Sequence, residues 1–196
     1  MNWAARATMM LTFSVVAKPD TPAESVTICM MDQGMNLVAM SSARAKISKI
    51  FVDIGITIRW TGPSHDRCPA GSIMITFLDV EPRERPEALA YALPFEGRHI
   101  FVLINRIKNL NLGPKCVPTV LSYVVAHEIG HILMGRTCHS SKGIMKAHWT
   151  QDEYSEMFSR GLAFLPEDVV DLFAGLEHWR AQVSVTTLWS GSARRR

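Results

Sequence analysis

The stretch Val120-Leu121-Ser122-Tyr123-Val124-Val125-Ala126-His127-Glu128-Ile129-Gly130-His131-Ile132-Leu133-Met134-Gly135 decides how this chain is read. Apolar residues dominate from Val120 to Met134. Pro118 and Thr119 stand before them, and a proline suits the first turn of a helix. Gly135 stands at the other end, where a glycine can take the left-handed conformation that closes one. The pattern predicts a long, mostly buried helix from Val120 to about Met134. Within it His127, Glu128 and His131 are out of place. Polar groups in an apolar helix are costly unless they are hydrogen-bonded, paired or bound to a metal.

Their spacing suggests a reason. Residues four apart lie on one helix face, one turn from each other, so both imidazoles can reach one metal ion. Glu128 is the next residue along and projects to one side of the two histidines. A zinc ion lowers the pKa of bound water from ~15.7 toward ~7, and a carboxylate so placed can take the proton during attack on a carbonyl. The reaction served is hydrolysis, most often of a peptide bond.

A catalytic zinc site needs a third protein ligand and an open position. His139 is the nearest candidate, because a turn at Gly135 would bring it back toward the helix. Gly143-Ile144-Met145 follows as a tight turn with a methionine. The rival third ligand is a glutamate from a later helix, Glu153 or Glu156; a capping or solvated carboxylate is the plain alternative for both. Cys138 could ligate, form a disulfide or simply pack. His148 could approach the substrate or lie on the surface. Tyr154 could stabilise an oxyanion, though its spacing gives no support for this. His65, His99 and His178 read as structural, the five tryptophans as packing residues, and Asp168 and Asp171 as capping or solvated carboxylates.

The string His127-Glu128-x-x-His131, Gly135, His139, Gly143-Ile144-Met145 resembles the metzincin clan of zinc peptidases. The continuation Lys146-Ala147-His148-Trp149 and the later Leu165-Pro166-Glu167-Asp168-Val169 resemble a group of small bacterial, matrixin-like members. The resemblance spans roughly residues 25–180, and only 127–149 is specific. It implies an α+β fold: a mixed, mostly parallel sheet with an antiparallel edge strand, an active-site helix and a C-terminal helix. It implies one Zn2+ held by His127, His131 and His139, with Glu128 as general base and Met145 in the turn beneath the metal. It also implies an edge strand that pairs with an extended peptide or protein substrate. One departure stands out. The clan's usual spacing is His-Glu-x-x-His-x-x-Gly-x-x-His, whereas here Gly135 comes one residue late and His139 two. Thr137 occupies the position where the third histidine usually stands.

Upstream, Ser25 to Met31 reads as a strand rich in β-formers. Leu37, Val38, Met40, Ala43, Ile47, Ile50 and Phe51 recur at helical spacing. Ile56–Trp60 and Ser72–Leu78 read as strands, Ala88–Phe95 as an ambiguous edge strand, and His99–Ile104 as a further strand. The order favours a mixed sheet with helices on one face. Downstream, Thr150 with Glu153 forms a capping-box signal, and Pro166-Glu167-Asp168 opens a last helix through about Trp179.

The chain has 196 residues, 47% hydrophobic and 20% charged, enough for one domain with a real core. The net charge of +3 owes much to Arg194-Arg195-Arg196. No basic stripe interleaved with aromatics supports nucleic-acid binding. No run approaches the ~20 apolar residues of a membrane span, so no stable membrane insertion of the mature chain is expected. Arg6, the apolar stretch to Val16-Ala17, and then Lys18-Pro19 resemble a short secretory leader. The expected division is a leader over 1–17, a linker over 18–24, a catalytic domain over 25–181 and a tail over 182–196. The product would be a secreted or periplasmic monomer. The four cysteines, Cys29, Cys68, Cys116 and Cys138, allow three disulfide pairings, or free buried thiols. No Cys-x-x-Cys pair offers a structural zinc site. A non-catalytic zinc-binding module of the same fold remains the alternative from another class.

Overall fold

The strand read from Ser25 lies inside the sheet, which explains its composition. In the computed structural model β1 (Glu24–Met31) has parallel neighbours on both sides. Ile28, Cys29 and Met30 are all buried, as the interior strand of a mostly parallel sheet requires. The structure describes residues 24–31, 36–62, 68–80 and 82–192, with 183–192 as backbone. The expected leader, nearly all of the linker and His65 lie outside the described residues.

The chain continues through α1 (Leu37–Val52), β2 (Ile56–Thr61), β3 (Ile73–Phe77), β4 (Ala90–Ala92) and β5 (His99–Val102). The sheet has five strands in the order β2-β1-β3-β5-β4. All pairs are parallel except β4 with β5, which is antiparallel and places β4 at the edge. This is the α+β class with one antiparallel edge strand. Ile73, Ile75 and Phe77 of β3 alternate into the core, as do Ile100 and Val102 of β5.

Asn36 starts α1, its Oδ1 accepting the Ala39 N–H at 2.7 Å. Met40, Ala43, Ile47, Ile50 and Phe51 form its buried stripe. They pack with the inward strand residues and α3 (Val117–Met134) in one core cluster. Every residue of α3 from Val120 to Leu133 is buried. By length and composition α3 could cross a membrane, but its place at the centre of the core accounts for that composition.

Two expected boundaries shift. The strand from His99 ends at Val102, and Ile104 opens a short helix, α2 (Ile104–Lys108). The apolar run serves both elements: Ile100 and Val102 face inward at strand spacing, then Ile104 and Ile107 at helix spacing. The final helix does not stop near Trp179. After α4 (Gln151–Ser159), α5 runs from Pro166 to Ser192, through the expected start of the tail.

Gly175 lets α5 lie against the end of α3. A Cβ there would fall 2.1 Å from the Leu133 carbonyl oxygen. Trp179 Nε1 donates to the Gly97 carbonyl at 2.6 Å, and Arg180 pairs with Glu24, fastening α5 to the sheet. Of the possible disulfides, Cys29–Cys68 forms, across a separation of 39 residues. A loop of that length contributes about 4 kcal/mol on the chain-entropy account. Cys116 and Cys138 are free, so Cys138 is an exposed thiol and not a disulfide partner.

Candidate metal centre

The period of α3 places His127 and His131 on one face, and Gly135 ends the helix with φ 64°. The following loop carries His139 back to them. The Nε2 of His131 lies 3.0 Å from that of His127 and 3.2 Å from that of His139. All three donor atoms fall within 4.8 Å of one another, a group that could hold a metal ion. His127 and His131 are buried, at 8% and 6% exposure, whereas His139 is exposed.

Main-chain carbonyls set the tautomers. His127 Nδ1 donates to the Ile144 carbonyl at 2.7 Å, and His131 Nδ1 donates to the Arg136 carbonyl at 2.9 Å. The proton of each neutral ring is therefore on Nδ1, and each Nε2 presents a lone pair. Two lone pairs 3.0 Å apart cannot bond to each other. Placed between them, a cation converts repulsion into coordination. Tetrahedral Zn–N bonds of about 2.0–2.1 Å would put ligand nitrogens about 3.3–3.4 Å apart, close to the two spacings through His131. The donor set thus fits zinc. Burial, with the neighbouring imidazoles, pushes His127 down to about 3 and His131 to about 4, so both stay neutral near pH 7. His139 is lowered as well, by burial first and then by His148.

Met145 is buried, 1% exposed, against α3 at Gly130. Gly130 makes room for it: a Cβ there would meet Met145 Sδ at 2.6 Å. The methionine turn is held from both ends. Ser140 N donates to the Met145 carbonyl at 2.9 Å, and Ile144 N donates to the Ala163 carbonyl at 3.0 Å. Trp149 stands edge-on to His127, with ring centroids 5.7 Å apart.

Glu128 is 7% exposed and faces the same cleft, a cavity of about 370 Å³. Burial raises its carboxyl to about 8, opposed by a hydrogen bond from the Ala92 N–H and by the charge of Arg85. Ala92 and Tyr91 of β4 form one wall, and Lys146, Trp149 and Tyr154 line another part. Sequence reasoning missed Ala92, Arg85 and Gly130. Only the edge-strand expectation hinted at the first, since nothing local in an alanine marks a main-chain donor.

The rival carboxylates lie elsewhere. Glu153 pairs with Lys146 and caps α4 through Thr150, which together hold its pKa down at about 2. Glu156 pairs with Arg160. Neither they nor Cys138 belongs to the three-histidine group. His99 bonds Glu96 and His178 bonds Gln182. His148 lines the cleft and is exposed. Asp168 departs from the expectation of a solvated carboxylate. It is 3% exposed and accepts hydrogen bonds from the Ser140 hydroxyl and from Leu165 N.

No family model matches the chain, and no curated protein sequence matches it. Solved structures do match. The crystal structure of an archaemetzincin from Methanopyrus kandleri superposes with a TM-score of 0.57 at 12% identity, over 81% of this chain and 98% of that one. At such low identity the likeness speaks for the fold, and the α+β architecture around this three-histidine cluster is archaemetzincin-like.

Proposed function

We propose that the chain is a zinc-dependent peptidase in which His127, His131 and His139 hold one ion and Glu128 is the general base. The observation that carries this reading is the convergence of three imidazole Nε2 atoms, two of them with Nδ1–H committed to carbonyls. Three protein ligands beside an open cleft suit a catalytic centre, whereas a structural zinc site is closed by four. The metzincin-like string and the archaemetzincin-like fold support the same assignment.

Bound zinc supplies Lewis acidity, which polarises a carbonyl and acidifies water. The protein's own residues account for the remainder. The Glu128 carboxyl faces the cleft beside Ala92 of β4. The charge of a cation held beside it would offset the burial that raises Glu128, leaving a carboxylate that takes a proton from the attacking water and delivers it to the leaving amine nitrogen. Strand β4, with its outer side unpaired among the described strands, offers main-chain groups to an extended peptide. A strand edge that accepts main chain without needing a terminus favours endopeptidase over exopeptidase activity. Within the clan, the matrixin-like group remains our assignment, on the motif alone. Export is part of the proposal, supported by the leader-like start and by the Cys29–Cys68 disulfide.

The test is cleavage of a mixed peptide library by the parent, by the parent with chelator, and by Glu128→Gln. The expected result is cleavage by the untreated parent, none with chelator, and about 10²- to 10⁴-fold less by Glu128→Gln with zinc content unchanged. Cleavage that survives both changes contradicts the mechanism. A parent that binds zinc and cleaves nothing points to the non-catalytic zinc module.

A further inference from the structure

We infer that Asp168 and Ser140 are a positioning pair, which fixes the long loop bearing His139 to α5 and so completes the metal centre. The inference rests on the proposed three-histidine site. His127 and His131 need no such device, because a buried helix holds them. His139 stands on an irregular, exposed segment. Such a side chain is useful as a ligand only if something else bears the entropy of ordering its loop.

Two hydrogen bonds hold the residue after His139. Ser140 N donates to the Met145 carbonyl at 2.9 Å, and Ser140 pairs with Lys146 in an isolated bridge. The Ser140 hydroxyl donates to Asp168 Oδ1. Asp168 Oδ2 in turn accepts from Leu165 N at 2.9 Å. The carboxylate is 3% exposed, so little water competes for it, and each oxygen has a protein partner. It sits in the first turn of α5, where the helix end favours negative charge. That helix is itself fixed, through Gly175 against α3 and through Trp179 against Gly97. One turn further on, Asp171 pairs with Arg136, whose carbonyl orients His131. The same face of α5 therefore reaches both ends of the loop from 136 to 140. Asp168 lies outside the cleft lining and its hydrogen bonds go to Ser140 and Leu165, not to the three histidines, so it acts through Ser140.

The plainer account is that Asp168 only caps α5. Ser140→Ala separates the two, because it leaves the bond to Leu165 intact. The experiment measures zinc affinity by chelator competition, and the visible spectrum after cobalt substitution. The proteins are the parent, Ser140→Ala, Ser140→Thr, Asp168→Ala and the Ser140→Ala/Asp168→Ala double variant, with Tm in chelator for each. Partners outside the ligand set are typically worth 10- to 100-fold in affinity, and this one acts at one remove. The expected result is about a tenfold loss of zinc affinity and an altered cobalt spectrum in Ser140→Ala, with recovery in Ser140→Thr. The double variant should lose no more affinity than Asp168→Ala alone, as coupled partners do. Parental affinity and spectrum in Ser140→Ala, or additive losses in the double variant, would overturn the inference while leaving the metal centre standing. A parent that binds neither metal overturns the centre and this inference with it.

Discussion

The two halves of the candidate centre are built by different means. His127 and His131 stand on α3, buried, each with its Nδ1 bonded to a carbonyl. His139 stands on an exposed loop, and among the described residues no group bonds its Nδ1. The helical half is set by a local period and by the surrounding core. The loop half is set by contacts distant in sequence, chiefly from α5. The first half should therefore resist small changes nearby, and the second should feel changes made far from it.

The largest expected effect lies where the halves meet, at the crossing of α3 and α5. In Gly175→Ala a Cβ would fall 2.1 Å from the Leu133 carbonyl oxygen and 2.7 Å from Met134 Cα. Backbone cannot yield as a side chain can. The expected loss is about 3 kcal/mol, read as a fall in Tm of roughly 6–12 °C. Gly130→Ala is the sharper comparison. Its Cβ meets the flexible end of Met145, and alanine gains about 1 kcal/mol of helix propensity, so little stability should change while zinc affinity falls. Equal losses of stability in the two variants would break the distinction.

The metal-free protein tests the buried half through pH. His127 and His131 sit near 3 and 4, against an ordinary value of 6.5. The unfolded chain thus binds more protons as pH falls below about 6.5, and folded stability declines there. Glu128 is raised from 4.5 to about 8, so the folded state keeps a proton that the unfolded chain releases. Its contribution declines as pH rises through that interval. Two histidines outweigh one glutamate below pH 6.5, and above it Glu128 acts alone. Denaturant unfolding in chelator should show greatest stability near pH 6.5, whereas a plateau from pH 5 to 8 would contradict these burial effects.

The smallest effect belongs to the exposed edge of the loop. Arg136 and Asp171 form an ion pair with side chains 42% and 38% exposed. Such pairs contribute under about 1 kcal/mol. Arg136→Ala should lower Tm by roughly 2–4 °C at most, and less at high salt. A larger fall would mean that the loop is fastened there and not chiefly at Ser140.

The same contrast decides what could be read from the sequence. The helix through His127 and His131, the inner strands and the capping box at Thr150 all follow from local period and turn chemistry, whereas the edge strand is ambiguous locally and rests on the family resemblance. His139 was reached by a glycine turn and a family-like string, and the structure brings its Nε2 to 3.2 Å from that of His131. The supports of the loop were not legible. Asp168 looks like any acid in a first helical turn, and its partner Ser140 lies 28 residues away. Ala92 acts through its main chain, which carries no side-chain signature. The break between β5 and α2 was hidden because one apolar run satisfies two periods in succession.

We propose three histidines, one of them on the loop, as the metal's ligands. Zinc stoichiometry of the purified parent, His139→Ala and Glu153→Ala tests this assignment most directly. One zinc per chain is expected in the parent and in Glu153→Ala, with marked loss in His139→Ala. Full zinc retention in His139→Ala, with loss in Glu153→Ala, would contradict it.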